Sequence, residues 1–86
     1  MKLSNKFVLR EIAGDSILIP IGQTDIQGML LLNPVSMLIY QGLQNGNEPV
    51  EILQQIITEY DVEETQAQDN LKETLAQMRE LGIIEA

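Results

Sequence analysis

Few of the 86 side chains can do chemistry, because the chain has no cysteine, no histidine and no tryptophan. Without cysteine there is no disulfide, no thiolate nucleophile and no cysteine-held zinc. Without histidine the commonest general base and the usual transition-metal ligand are gone. What remains is carboxylate, ammonium, phenol and hydroxyl. Thirteen Asp and Glu face five Lys and Arg, a formal net charge of −8. Pairs such as Glu63/Glu64 and Glu59/Asp61 could approach a hard cation. Their spacing matches no calcium loop, which needs several oxygen ligands and a central glycine within about twelve residues. They read as solvated caps and faces of helices. A chain this short also has little room to enclose a substrate. The expectation is a protein that is not an enzyme, with no catalytic residue, metal or cofactor.

One serine needs separate weighing. Asp15-Ser16-Ile17-Leu18 resembles the Asp-Ser-Leu of acyl carrier proteins, which are also small and acidic. Their serine bears phosphopantetheine at the start of a helix. The same residues resemble Gly-Asp-Ser-Leu hydrolases, but those need a histidine. Ser16 instead opens an alternating apolar segment that contains Pro20. A carrier function stays as an alternative.

The charge also bounds the partners. Affinity for a phosphate backbone comes from Lys and Arg, and −8 opposes it. Acidity does not imply disorder here, because 44% of the residues are apolar and patterned. No apolar run is long enough to cross a membrane. The N-terminus has Lys2 and Lys6, but Arg10, Glu11, Gly14 and Asp15 interrupt the apolar stretch after them, so no signal-peptide core is read there. The expectation is one cytoplasmic domain over 1–86, binding neither nucleic acid nor membrane, as a monomer or weak homodimer.

The elements that must position these residues divide at Asn33-Pro34. Before it, three strands are predicted at about 7–12, 16–21 and 28–32. Gly14-Asp15 between the first two is a hairpin signal, since both residues tolerate positive φ. Ile17, Ile19 and Ile21 share one face, and Pro20 belongs on an edge or at a bulge. Gly22 to Gln27 reads as a polar connector. After Asn33 the period becomes helical, with helices predicted at about 34–44, 49–59 and 62–81. Asn33 caps the first and Pro34 opens it. Pro49 opens the second. Asp61 and Glu64 have the form of a capping box for the third. Ala67, Leu71, Leu75 and Met78 form its apolar stripe, and Gly82 ends it, with Ile83 and Ile84 folding back. Strands followed by helices define an α+β domain with helices on one side of an antiparallel sheet.

Two features stand out in this arrangement. The third strand, Met29-Leu30-Leu31-Leu32, is apolar on both faces, yet helices on one side cover only one of them. An edge of this kind suits strand addition, in which main-chain hydrogen bonds hold an incoming peptide. The plainer reading is that stacked elements bury both faces. The second feature is the layout of positive charge. Beyond Arg10 the only cations are Lys72 and Arg79. They share one flank of the third helix with Gln68, beside the Leu71/Leu75/Met78 stripe. They could hold an acidic peptide, or pair with Asp69, Glu73 or Glu80. A winged helix-turn-helix has this element order too, but DNA binding needs a basic recognition helix. The predicted second helix has no Lys or Arg.

The string as a whole resembles the PqqD-like family. The resemblance is carried by Phe7 to Asp15, Ile19-Pro20, Gly28-Met29-Leu30-Leu31-Leu32-Asn33, Glu59-Tyr60-Asp61-Val62 and Leu81-Gly82-Ile83-Ile84-Glu85. It covers nearly the full chain, in order. Members are peptide chaperones of pyrroloquinoline quinone synthesis and of other pathways that modify ribosomally made peptides, where the domain is the precursor-peptide recognition element. The resemblance implies a winged helix-turn-helix-like fold with a three-stranded antiparallel sheet and three helices. It implies a leader peptide added along Met29, Leu30, Leu31 and Leu32, with a helix wall drawn from Gln68, Lys72, Leu75 and Arg79. It implies a modifying partner such as a radical S-adenosylmethionine protein or a lasso-peptide protease or cyclase. One departure is Pro34, where the family commonly has a charged or polar residue. The function expected is a non-catalytic chaperone that binds a leader and presents its peptide. The alternatives are a winged-helix transcription regulator and the acyl-carrier-like protein.

Overall fold

Phe7–Ile12 and Asp15–Pro20 are rich in branched residues, and they pair as an antiparallel hairpin from Phe7↔Pro20 to Ile12↔Asp15. The computed structural model describes residues 1–21 and 28–85. Its elements are β1 (Lys2–Leu3), β2 (Phe7–Ile12), β3 (Asp15–Pro20), β4 (Leu30–Leu32), α1 (Pro34–Gln44), α2 (Pro49–Tyr60), α3 (Glu64–Glu80) and β5 (Ile84–Glu85). The connector expected over 22–27 lies outside the described residues.

The hairpin turn corrects one expectation. Its two positive-φ residues are Ala13 (φ 53°) and Gly14 (φ 86°), and Asp15 already belongs to the strand. A two-residue loop with both residues left-handed matches the twist of the flanking strands. Glycine takes that conformation freely, whereas alanine does so at a cost of about 1–2 kcal/mol. Ala13→Asn, which makes the favoured Asn-Gly turn, is expected to stabilise the domain by about 0.5–1 kcal/mol. A higher urea midpoint with an unchanged slope would show it.

The sheet order is β2-β3-β4, and β4 pairs through Ser16↔Leu32, Ile17↔Leu31 and Leu18↔Leu30. Pro20 sits at the end of the central strand, where β4 no longer reaches. The Ile21 N–H donates to the Lys6 carbonyl at 2.7 Å, on the β2 side. Backbone groups alternate sides, so the donor that Pro20 lacks would have pointed past the end of β4.

The helix starts follow local chemistry. Asn33 Oδ1 accepts from the Ser36 N–H at 2.8 Å, and Pro34 begins α1. In α2, the Glu48 N–H donates to Glu51 Oε1 at 2.8 Å. The capping box expected at Asp61 and Glu64 does not form. Asp61 takes a left-handed conformation (φ 50°) and ends α2, its N–H donating to the Ile57 carbonyl at 3.0 Å. Aspartate is one of the few residues that visits this region. The start of α3 therefore moves to Glu64, with Glu63 in the capping place.

At the other end of α3, Gly82 (φ 80°) reverses the chain. The Ile83 N–H donates to the Met78 carbonyl at 2.8 Å and the Gly82 N–H to Arg79 at 3.2 Å, a Schellman motif. Ile83 and Ile84 then bury, and β5 pairs with β1 through Lys2↔Glu85 and Leu3↔Ile84. Two-residue strands carry no readable alternation, so the sequence does not announce this small sheet.

The core takes Phe7 and Leu18 from one face of the three-stranded sheet. It takes Ile39, Leu43, Ile52, Ile56, Leu71, Leu75 and Met78 from the helices, and Ile83 and Ile84 from the tail. Half-buried Leu9, Leu30 and Leu32 extend it along the same sheet face. All three helices therefore lie on one side, as the element order requires.

Candidate functional site

The register fixes what β4 offers on its outer edge. In an antiparallel ladder, opposed residues alternate between pairs that exchange hydrogen bonds and pairs that do not. Ile21 bonds towards β2, so the odd residues of β3 face β2 and the even ones face β4. Ser16↔Leu32 and Leu18↔Leu30 are then the bonded pairs, and Ile17↔Leu31 is not. The N–H and C=O of Leu31 point away from the sheet. Among the described residues nothing pairs with that edge. A strand with one free donor and acceptor is a template for another strand.

The side chains of β4 split between its faces. Leu30 and Leu32 are half-buried and pack on the core cluster that contains Leu71, Leu75 and Met78. Met29 and Leu31 are 63% and 70% exposed. The strand expected over 28–32 is shorter than its sequence pattern: β4 holds Leu30–Leu32, with Leu30 and Leu32 inward and Leu31 outward, and exposed Met29 lies just before it.

The helix side is more divided. Leu75 is 8% exposed and belongs to the core, beneath any groove. Gln68, Lys72 and Arg79 are exposed. A cleft of about 470 Å³ opens where β4 passes into α1, between Asn33–Ser36 and α3. Its α3 wall is Asn70, Glu73, Thr74 and Gln77, with Tyr60 closing one side. Taking about 100° per residue, Asn70, Thr74 and Gln77 stand on one flank of the Leu71 stripe, and Gln68, Lys72 and Arg79 on the other. The amide- and hydroxyl-bearing flank, not the cationic one, lines this cleft. The sequence reading missed it, because a helical stripe is symmetric until its neighbours are known. Among the described residues, the ion pair within 4.0 Å is Lys2 Nζ–Glu85 Oε2, at 3.7 Å. Lys72 and Arg79 do not pair with Asp69, Glu73 or Glu80.

Among the described residues no group of three or more acidic side chains could hold a metal ion. A cleft of about 570 Å³ between the hairpin turn and α1/α2 has Asp15, Ser16, Gln41, Gln55 and Glu59 in its wall. Ser16 there lies within β3, paired with Glu11 and Leu32, not at the helix start that a carrier serine needs. The buried Tyr40 phenol is pushed up by desolvation, away from the neutral range where a general acid works. No described helix is long and apolar enough to cross a membrane.

Fold and edge together define a winged helix-turn-helix-like domain whose sheet ends in a strand with an outer edge that is unpaired among the described residues. The chain belongs to the family described as Coenzyme PQQ synthesis protein D (PqqD), which matches residues 16–84. Solved structures agree on the fold. A complex of TbiB1 with the TbiA(beta) leader peptide superposes with a TM-score of 0.85 at 24% identity, over 100% of this chain and 96% of that one. Lasso peptide synthetase B1 complexed with the leader peptide also gives 0.85, at 22% identity, over 99% and 96%. No curated protein matches the chain significantly.

Proposed function

We propose that this chain binds the leader of a ribosomally made precursor peptide as a fourth strand on β4 and presents the peptide to a modifying enzyme. Residues 1–86 act as one unit, and the chain itself performs no catalysis. The observation that carries the reading is the backbone of Leu31, aimed off a sheet edge that is unpaired among the described residues and flanked by apolar side chains. Membership of the PqqD family and the likeness to two proteins solved with leader peptides support it. Leader side chains that point inward enter beside Leu30, Leu32 and Val35, above Leu75. Those that reach α3 meet Asn70, Thr74 and Gln77. Holding the leader raises the local concentration of its core peptide at the enzyme, so no reactive group is needed here. A radical S-adenosylmethionine protein or a lasso-peptide protease fits this role.

Titration of a fluorescent leader peptide tests the reading. Saturable one-to-one binding, with slowed amide exchange at Leu31, is expected. No binding at about 100 μM leader sinks it.

Lys72 and Arg79 act in this proposal as exposed cations that attract an acidic leader, with Gln68 between them and the stripe. Exposed charges contribute modestly and are screened by salt. Lys72→Glu/Arg79→Glu is expected to weaken binding about three- to tenfold at low salt and little above about 0.3 M. Equal affinity for the variant and the parent at low salt removes the cations from the site.

A further inference from the structure

Two clefts meet at the end of β4. The cleft of about 470 Å³ against α3 and the cleft of about 570 Å³ beside the hairpin turn share Pro34 and Tyr60 in their walls. Leu32, the last residue of β4, lines the second. The sheet edge therefore runs out into one continuous groove. Carboxylates stand along it, Glu73 in the first cleft and Glu59 and Asp15 in the second, and neither wall holds a Lys or Arg. Among the described residues no cation pairs with them within 4.0 Å. Glu59 is placed against local stability. It sits in the last turn of α2, at the negative end of the helix dipole, with no basic residue in that turn. The start of α1 does little to offset this charge, because Pro34 has no N–H and the Ser36 N–H is already taken by Asn33. Tyr60, 38% exposed, stands where the two clefts join.

We infer that this groove holds a basic stretch of the leader just before its added strand, with Lys or Arg side chains set among Glu59, Glu73 and Tyr60. This occupancy rests on strand addition at β4. The pairs of the three-stranded sheet are antiparallel. A leader that continues the pattern runs opposite to β4, so the residues before its strand pass Leu32 and those after it leave past Leu30. About five extended residues, spanning about 17 Å, follow the groove. The other end, which carries the peptide to be modified, stays clear of it. An ammonium or guanidinium in the groove meets carboxylates, a phenol ring and the side-chain amides of Gln41 and Gln55. A divalent metal is a poor occupant, because no group of three acidic side chains among the described residues could hold one. A second copy is a poor occupant too, because chains at −8 repel each other. Charge thus sorts the leader along its length. Acidic residues go to Lys72 and Arg79 on the other flank of α3, and basic ones to this groove, which sets the direction of binding.

The test uses the full chain and the leader peptide of the precursor encoded beside it, with a fluorophore at the leader's C-terminal end. Glu59→Gln/Glu73→Gln keeps the shapes and removes the charges. Both residues are exposed and Glu59→Gln relieves a helix end, so the variant is expected to be no less stable than the parent in urea. It is expected to bind the leader about five- to tenfold more weakly at low salt, and within twofold of the parent above about 0.3 M. A leader trimmed of the residues before its strand is expected to bind the parent as weakly, and to bind parent and variant alike. A spin label at the N-terminus of the whole leader is expected to broaden the amides of Asn45, Gln55 and Tyr60. Equal affinity of parent and variant for the whole leader at low salt overturns the groove and leaves strand addition standing. A leader with no Lys or Arg before its strand does the same, as does a spin label at the leader's other end that broadens those amides. A parent that binds no leader overturns the strand reading itself.

Discussion

Leu31→Pro is expected to lower leader affinity at least tenfold and to leave the domain folded. The residue donates to nothing in its own sheet, because Ile17↔Leu31 is a non-bonded pair and the neighbouring pairs hold β4 to β3. Its N–H is the donor an incoming strand needs, and proline removes it. The ring also occupies the space where the partner carbonyl would sit, so neighbouring bonds lengthen. One lost hydrogen bond contributes about 0.5–1.5 kcal/mol, and the displaced strand adds to it. A total of about 2 kcal/mol is roughly thirtyfold in Kd. The fold tolerates the change on three grounds. Edge strands accept proline, the preceding Leu30 is already extended, and the Leu31 side chain is 70% exposed. Leu31→Ala keeps the donor and is expected to cost less than about fivefold, a loss of side-chain contact alone. Anisotropy titrations and thermal melts of both variants separate these effects. A proline variant with parental melting and parental affinity shows that the leader does not use this edge.

That edge was legible because Met29-Leu30-Leu31-Leu32 is apolar at every position, a pattern that one layer of helices cannot absorb. The caps at Asn33-Pro34 and Gly82 were legible because capping is decided within a few residues. Asp61 was misread for the same local reason. Its side chain can cap a helix start or tolerate a left-handed end, and the need to turn from α2 into α3 selects the second. Ala13 was passed over because glycine and aspartate advertise turns and alanine does not. The sheet of β1 and β5 joins the two ends of the chain, and no local window spans that distance. The same limit applies to α3. Periodicity finds its buried stripe, but only the position of α1 shows that Asn70, Thr74 and Gln77 border the cleft. Charge drew attention to Lys72 and Arg79, and charge is a property of residues rather than of their neighbours.

Gly42→Leu is expected to cost about 3 kcal/mol, a large share of the roughly 4–13 kcal/mol that a domain this size commands. Glycine inside a helix is worse than alanine by about 1 kcal/mol, so its presence in the third turn of α1 needs a cause. A Cβ there would stand 2.8 Å from Cγ1 and 3.1 Å from Cδ1 of Ile52. Ile52 has no exposure, so it cannot swing into solvent, and its branched χ1 leaves few other rotamers. The close approach of α1 and α2 therefore depends on the missing side chain. It matters for the site, because α1 leaves β4 through Asn33 alone and its seat on α2 fixes where the edge strand ends. Ile52→Ala alone is expected to cost about 2–5 kcal/mol as a cavity. In Gly42→Leu/Ile52→Ala the new leucine enters the space the isoleucine leaves. The double variant should be more stable than the summed losses predict, by about 1–3 kcal/mol. Urea unfolding of the four proteins measures that coupling. Strict additivity would mean that the two positions do not meet, and that α1 and α2 are held apart by something other than Ile52.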